Sequence, residues 1–434
     1  MSKDVSINVH HLTRVEGHGN IVLDVEKGEI QKIQWQVPEA PRFFEAMLRG
    51  RHYDELRAIT SRICGICSIG HSLASLKATE DALDVKISEQ SDMLRHLAIN
   101  AENMQSHILH VGYLVAPDLF GVGSVFPLAG SNHHEELLKI VKLHRISNYM
   151  SDLICGRTTH PIRLVVGGFS MVPKEKELLK LKEELTGIIE PTKEIAEVIL
   201  SVADKLPNFT RETEYIGLKS DKEYALYDGD IASTDTGVFK DSHNYKEIMQ
   251  EFVVPQSTAK YAKHNRESYM AGALARFNLN SDQLHPLAKE VANMFKLKAV
   301  CYNPFMNNIS QVVEFVHNIE DSIMWIDKLV ENGIKDEKPV SVKLKEGRGV
   351  GVVEVPRGIL LHDYTIDEKG NCVKANCIIP TNQNHANIQL DMEKFVPEIL
   401  DKSEKEIELN LEMLVRAYDP CISCSTHYLD VKFV

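Results

Sequence analysis

Two short stretches, more than three hundred residues apart, hold the residues best suited to chemistry. One is Arg62-Ile63-Cys64-Gly65-Ile66-Cys67, with His71 beyond it, and the other is Asp419-Pro420-Cys421-Ile422-Ser423-Cys424, with His427 beyond it. Two residues between cysteines let both sulfurs face one ion, so each stretch is a two-thiolate claw. If the fold brings the claws together, four soft ligands surround one metal. Such a set favours zinc, iron–sulfur, copper(I) or nickel over magnesium or calcium. A lone pair of this kind could equally be a thioredoxin-like redox couple, and four cysteines around zinc close many folds. Zinc pairs, however, usually share one small module, and ferredoxin-like segments carry tighter cysteine runs. Eight cysteines in 434 residues do not make a disulfide scaffold. Cys155, Cys301 and Cys372 stand alone and read as ordinary small residues.

The elements that must position these claws are mostly helical. Val5–Leu12, Asn20–Val25 and Ile30–Val37 alternate around a Lys27-Gly28-Glu29 turn, which predicts a β meander over about 1–40. From Pro41 the texture turns helical, with short pieces at Phe43–Leu48 and Asp54–Thr60. Longer helices are expected over Ile66–Leu83, Glu89–Val115 (closed by Ala116-Pro117-Asp118), His134–Ile154, Lys174–Leu206, Asn307–Asn332 and Glu393–Tyr418. Tyr224–Tyr227 with Ile231–Ser233 reads as a hairpin, and Val350–Val355, Leu360–Tyr364 and Cys372–Ile379 as a second β patch. The fold class is α+β: a long-helix bundle core with small peripheral β-sheets, one domain over 1–434, the active site lying in 41–434. Hydrophobic content of 43% and charged content of 26% are ordinary for a soluble protein. A net charge of -13 argues against nucleic acid as a partner. No apolar run approaches the length of a membrane span, and the N-terminus has no apolar signal core; the expected location is the cytoplasm.

Taken with the cysteine claws, further motifs make the whole chain resemble the catalytic large subunit of nickel–iron hydrogenases. They are Arg14-Val15-Glu16-Gly17-His18-Gly19, Pro41-Arg42-Phe43-Phe44-Glu45, Glu354-Val355-Pro356-Arg357-Gly358, Pro380-Thr381-Asn382-Gln383-Asn384 and Arg416-Ala417-Tyr418. Ser106-His107-Ile108-Leu109-His110 and Pro117-Asp118 look most like the cytoplasmic, pyridine-nucleotide-linked group that includes sulfhydrogenases. Membrane-linked relatives typically carry an Asp near Ser106.

The resemblance implies that Cys64, Cys67, Cys421 and Cys424 hold nickel. Cys67 and Cys424 would bridge to an iron carrying carbon monoxide and cyanide. It implies reversible heterolytic cleavage of H2, with Cys421 as first proton acceptor, Glu16 as the outward relay and Arg357 across the open metal position. A guanidinium stays protonated, so orientation and electrostatics suit Arg357 best. His71 would donate to a bridging sulfur and Arg62 would offset the anionic cluster. Leu360, Pro380, Thr381 and Asp419 would shape the surrounding pocket. Glu45, the backbone at Cys377 and His427 match a separate magnesium or iron site, which oxygen and imidazole donors suit.

No spare cysteine cluster and no Gly-x-Gly-x-x-Gly loop is present. Electrons must therefore leave through an iron–sulfur small subunit, and then through flavin- and NAD(P)-binding diaphorase-type subunits or to ferredoxin or sulfur. The family also implies a maturation protease that cuts after His427 and removes Tyr428–Val434. Two alternatives are a quinone-site subunit of a complex-I-like assembly, whose members lack the four cysteines, and a zinc-stabilised scaffold without catalysis.

Overall fold

The computed structural model describes residues 4–427, so the expected processing of 428–434 lies outside the described residues. The chain opens with the antiparallel meander Val5–Val9, Asn20–Glu26 and Glu29–Gln36. Its first strand alternates strictly, Val5, Ile7 and Val9 inward, Ser6 and Asn8 outward. Lys27 and Gly28 both take positive φ, as the tight turn between twisted strands requires. At the far end of the sheet Trp35 is fully buried.

Helices make the bulk of the body. Glu89–Leu109 packs against Asn307–Asn332 on one side and His134–Cys155 on the other. It does not stop at Ala116-Pro117-Asp118. A π-type turn, His110–Val115, carries it into Ala116–Phe120, with Pro117 just beyond the turn. Asp118 then binds Arg14 and Arg416, tying the N-terminal segment to the last long helix.

Three further expectations are corrected by local chemistry. Lys174–Leu206 is two helices, Glu175–Thr186 and Ile189–Val202, broken at Gly187, a poor helix former. Glu393–Tyr418 spans the end of Pro380–Ile399 and a separate helix Glu404–Ala417. Ser403 starts the latter with a capping box: its hydroxyl accepts the Glu406 N–H while Glu406 accepts the Ser403 N–H. Tyr224–Tyr227 is not a strand, because its groups are used elsewhere. Arg95 donates to the Tyr227 hydroxyl, and the Leu226 carbonyl accepts from Glu354. Asp230–Ser233 pairs instead with Glu214–Lys219 and Gly237–Phe239.

The fold is α+β as expected, but one small sheet is interior rather than peripheral. Gly347–Val355, Gly358–Ile366 and Cys372–Ile378 form an antiparallel sheet whose first two strands are buried almost throughout. A glycine ladder allows this. Cβ atoms added to Gly347, Gly349 and Gly351 would lie 2.1 Å from the carbonyls of Ala82, Ala78 and Ala74. Glycines two apart on a strand thus meet alanines four apart on helix Ser68–Leu83, each on one face of its element. That backbone-to-backbone contact seats the helix that follows Cys67.

Candidate metal centre

Cys64 lies in a loop that extends through Ile66 and Cys67, past the expected helix start at Ile66. The N–H groups of Ile66 and Cys67 turn toward its sulfur at 3.3 and 3.4 Å, so the helix starts only at Ser68. The second claw follows a left-handed Asp419 (φ 49) and occupies the short turn Ile422–Ser425. Arg42 staples the two together: one guanidinium nitrogen donates to the Ile63 carbonyl and the Ser423 carbonyl, and its backbone N–H donates to Thr426.

The four sulfurs converge. Cys64 lies 3.4 Å from Cys421, Cys67 3.7 Å from Cys424, and Cys421 2.6 Å from Cys424. All four are buried, none is in a disulfide, and together they form a group able to hold one ion. Hydrogen bonds from Cys421, Cys424 and Cys67 hold the Cys64 thiol well below its usual range, while burial pushes Cys421 and Cys424 well above it.

Arg357 forms one wall. Its Nε donates to the Asp419 carbonyl at 2.7 Å, Nη2 to Asp419 Oδ1 at 2.8 Å and Nη1 to Ser106 Oγ at 3.2 Å. Burial alone would lower the guanidinium, but the Asp419 carboxylate and the sulfurs of Cys421, Cys67 and Cys64 hold it well above its ordinary value. It is therefore a fixed cation facing these sulfurs. Gln311 donates to the other Asp419 oxygen, so both are engaged. Thr381, in the first turn of helix Pro380–Ile399 beside Pro380, accepts the Cys421 N–H at 3.1 Å. Leu360 is fully buried in the interior sheet.

Glu16 touches the second claw directly. Its Oε2 lies 3.2 Å from Cys421 Sγ and accepts the Ser423 N–H at 3.0 Å; its other oxygen takes the Ser423 hydroxyl. Arg14 is committed to Asp118, so an Arg14–Glu16 salt bridge does not form. Glu16 is half-buried and thus spans from sulfur to the outer layer.

Two expected neighbours are placed differently. Arg62 is exposed and does not reach the sulfurs; Arg357 supplies the charge instead. His71 is buried, but its hydrogen bond is to His362 Nε2 at 3.1 Å rather than to a sulfur, and burial holds its imidazole down to about 3. Its spacing from Cys64 correctly put it inside the fold, but the direction of the ring depended on a strand almost three hundred residues away.

The Glu45 set does assemble. Glu45 Oε1 accepts the Cys377 N–H at 2.9 Å, and its Oε2 lies 3.5 Å from His427 Nδ1. Both of these last two atoms are buried without a hydrogen-bond partner. Burial would raise the Glu45 carboxyl, but His427 and the Cys377 N–H outweigh it and leave it below its usual value. A carboxylate oxygen and an unpaired imidazole nitrogen, buried 3.5 Å apart, fit a hard cation.

Ser423 and Gln311 left no local signal as site residues, because hydroxyl and amide groups at unpatterned spacings look like surface, and Arg42 was marked only by its motif with Glu45. Glu102 was also missed. It reaches from helix Glu89–Leu109 to accept the Ile69 and Gly70 N–H groups, capping the helix behind Cys67, and burial raises its carboxyl to about 8.

A family model described as nickel-dependent hydrogenase matches residues 42–127 and 218–427. The chain belongs to that family. A second model, described as HoxL-like, matches residues 6–40. The sulfhydrogenase 1 alpha subunit of Pyrococcus furiosus is 34% identical over 430 residues, covering 97% of both chains. The sulfhydrogenase 2 alpha subunit of the same organism is 32% identical, covering 98% of this chain and 99% of the relative. Among solved structures, an NAD+-reducing nickel–iron hydrogenase in the H2-reduced state aligns with a TM-score of 0.88 at 25% identity, covering 97% of this chain and 99% of that one. The hydrogenase is an oxidoreductase acting on H2, and its family implies nickel and iron at the active site. No helix among the described residues is long and apolar enough to cross a membrane.

Proposed function

We propose that this chain is the H2-activating subunit of a cytoplasmic complex, with Cys64, Cys67, Cys421 and Cys424 as the nickel ligands and Cys67 and Cys424 shared with an iron carrying carbon monoxide and cyanide. The observation that carries the reading is the placement of one carboxylate against this thiol group, Glu16 Oε2 3.2 Å from Cys421 Sγ. When bound, the nickel–iron pair supplies the redox centre at which H2 is polarised and from which electrons leave. The chain's own residues handle the proton. Cys421 sulfur receives it, and Glu16 takes it from there, its carboxylate oriented by the Ser423 N–H and hydroxyl. A carboxyl relay of this kind needs contact with the donor and an outward face, and half-buried Glu16 has both. Arg357, locked by Asp419 and Ser106, presents a fixed positive charge that favours the anionic state of the thiols. Glu45 and His427, with backbone at Cys377, would hold a magnesium or iron ion near the C-terminal turn.

Electrons leave by the exposed side of the first claw, where Arg62 and Gly65 face outward. The partner there is an iron–sulfur small subunit, followed by flavin- and NAD(P)-binding diaphorase-type subunits. This acceptor chain is supported by the named relatives, a sulfhydrogenase and an NAD+-reducing enzyme. A maturation protease acting after His427 belongs to the same reading. Metal analysis of the purified complex, alongside H2-dependent reduction of an artificial dye, tests it: nickel with iron and dye reduction are expected. Zinc alone, without turnover, would instead indicate the scaffold alternative.

A further inference from the structure

Ser425 follows Cys424 directly and closes the turn Ile422–Ser425. Its hydroxyl donates to the Ile422 carbonyl at 2.7 Å and lies 3.1 Å from His385 Nε2. His385 projects from helix Pro380–Ile399, one turn beyond Thr381 and Asn382, which hold the Cys421 N–H and the Ser425 carbonyl. The other ring nitrogen of His385, Nδ1, lies 2.9 Å from Trp35 Nε1. An indole N–H can only donate, so Nδ1 must accept. The ring is fully buried, and burial holds its imidazole down to about 3, so it carries one proton. That proton has to be on Nε2, where it is donated to Ser425. The chain Trp35 to His385 to Ser425 to the Ile422 carbonyl therefore runs in one direction, with no second tautomer that satisfies it.

Packing fixes the same chain from outside. A Cβ added to Gly19 would lie 2.1 Å from the Trp35 ring and 2.9 Å from the Ile422 side chain. Indole and cysteine turn are thus clamped against one strand end, and the Trp35 N–H cannot swing away. The Trp35 backbone N–H is also held, by Gln389.

We propose that His385, held in its Nε2–H form by Trp35, is a positioning residue that sets the direction in which the Ile422–Ser425 turn presents the Cys424 sulfur to the metal. The inference rests on the metal-centre reading above, but its geometry concerns only this chain. A purely structural histidine would stabilise the fold without controlling the turn. Control predicts a local signature.

The test uses the complex with its partner subunits and the variants Trp35→Phe, Ser425→Ala, their double, and His385→Gln. Four quantities are measured: nickel content, the nickel electron-paramagnetic-resonance signal, H2-dependent dye reduction, and amide hydrogen exchange of the peptide covering Ile422–Ser425. Trp35→Phe and Ser425→Ala should each keep nickel, shift the signal and lower kcat several-fold with KM for H2 unchanged. Exchange in the turn should rise about tenfold, the effect of losing one hydrogen bond of ordinary net strength. The double variant should be no worse than the worse single, because both cut one chain. His385→Gln, whose side-chain amide can still donate to Ser425, should retain most of the signal and the rate. Unchanged signal and exchange in both singles, or losses that simply add, overturn the proposal. If Trp35→Phe does not fold, Ser425→Ala and His385→Gln decide it alone. A wild-type complex without nickel would overturn the metal-centre reading instead, and the exchange of the turn in that metal-free protein would still decide this one.

Discussion

The thiol group and the Glu45–His427 pair are made from the same two ends of the chain, yet their atoms are satisfied in opposite ways. Each sulfur has another sulfur within 3.7 Å, and Cys421 has Glu16 as well. Glu45 Oε2 and His427 Nδ1, only 3.5 Å apart, have no hydrogen bond at all. Sulfur is a weak donor and acceptor, so buried thiols tolerate one another. A buried carboxylate oxygen without a partner costs on the order of 1–3 kcal/mol. The comparison teaches that the two groups would depend on a bound ion differently. The soft site is shaped by the protein around it, through Arg42, Thr381, Glu16 and the His385 chain. The hard site proposed above has two unpaired ligand atoms, whose local stability a bound ion would supply.

The strongest way to break that comparison is at Cys421. Cys421→Ser puts a hard, neutral hydroxyl where a soft anion is needed, so nickel retention and H2 oxidation should both be lost; metal content measured beside turnover checks it. Full nickel with normal turnover would end the four-thiolate model. Next comes Glu16→Gln, which keeps the Ser423 contact but cannot cycle a proton. Nickel should remain while dye reduction falls by about 10²–10⁴-fold, the usual worth of a positioned acid–base group. An unaffected rate would remove Glu16 from the relay.

How far the sequence foretold these two sites follows from the kind of signal each leaves. The claws announce themselves because two cysteines at fixed spacing are rare and serve one geometry. Glu45 and His427 share no spacing, being separated by most of the chain, and only the family resemblance joined them. Helix Asn307–Asn332 was legible to the residue because its apolar period is unbroken. The breaks at Gly187 and Ser403 were missed because the apolar period continues across them, and there a single cap or glycine outweighs periodicity. The interior sheet was misplaced for a related reason. Its first strand begins at Gly347 rather than at Val350, and the lack of side chains at Gly347, Gly349 and Gly351 is what admits a helix. Ser106, Gln311 and His385 act only through partners distant in sequence, so no local pattern could assign them.

Two smaller effects sharpen the contrast between a shaped site and an ion-dependent one. Arg357→Lys replaces a planar fork that holds Asp419 and Ser106 with a flexible point charge. Turnover should drop by about 10²–10³-fold, as when one preorganised donor is removed, with nickel largely kept. Equal rates would reduce Arg357 to packing. Added magnesium should raise the Tm of the wild type, and His427→Ala should abolish that rise. It should also lower stability by about 3–5 kcal/mol, since Glu45 would be left as an unpaired buried charge. A magnesium-dependent Tm that survives the substitution would place the hard site elsewhere.

The smallest effect is expected at Arg62, and it separates the interior of the soft site from its rim. The side chain is exposed and the sulfurs already face the buried cation Arg357, so Arg62→Ala should change neither nickel content nor dye reduction. Stability should move by no more than about 0.5 kcal/mol, the ordinary range for a surface substitution. A dye accepts electrons without a docked protein, whereas the physiological acceptor must reach the exposed edge of the Cys64 loop. Assaying both acceptors therefore locates the role. Loss with the protein acceptor alone assigns Arg62 to docking. Loss with both would return it to the metal centre and show that charge outside the buried shell still reaches the thiols.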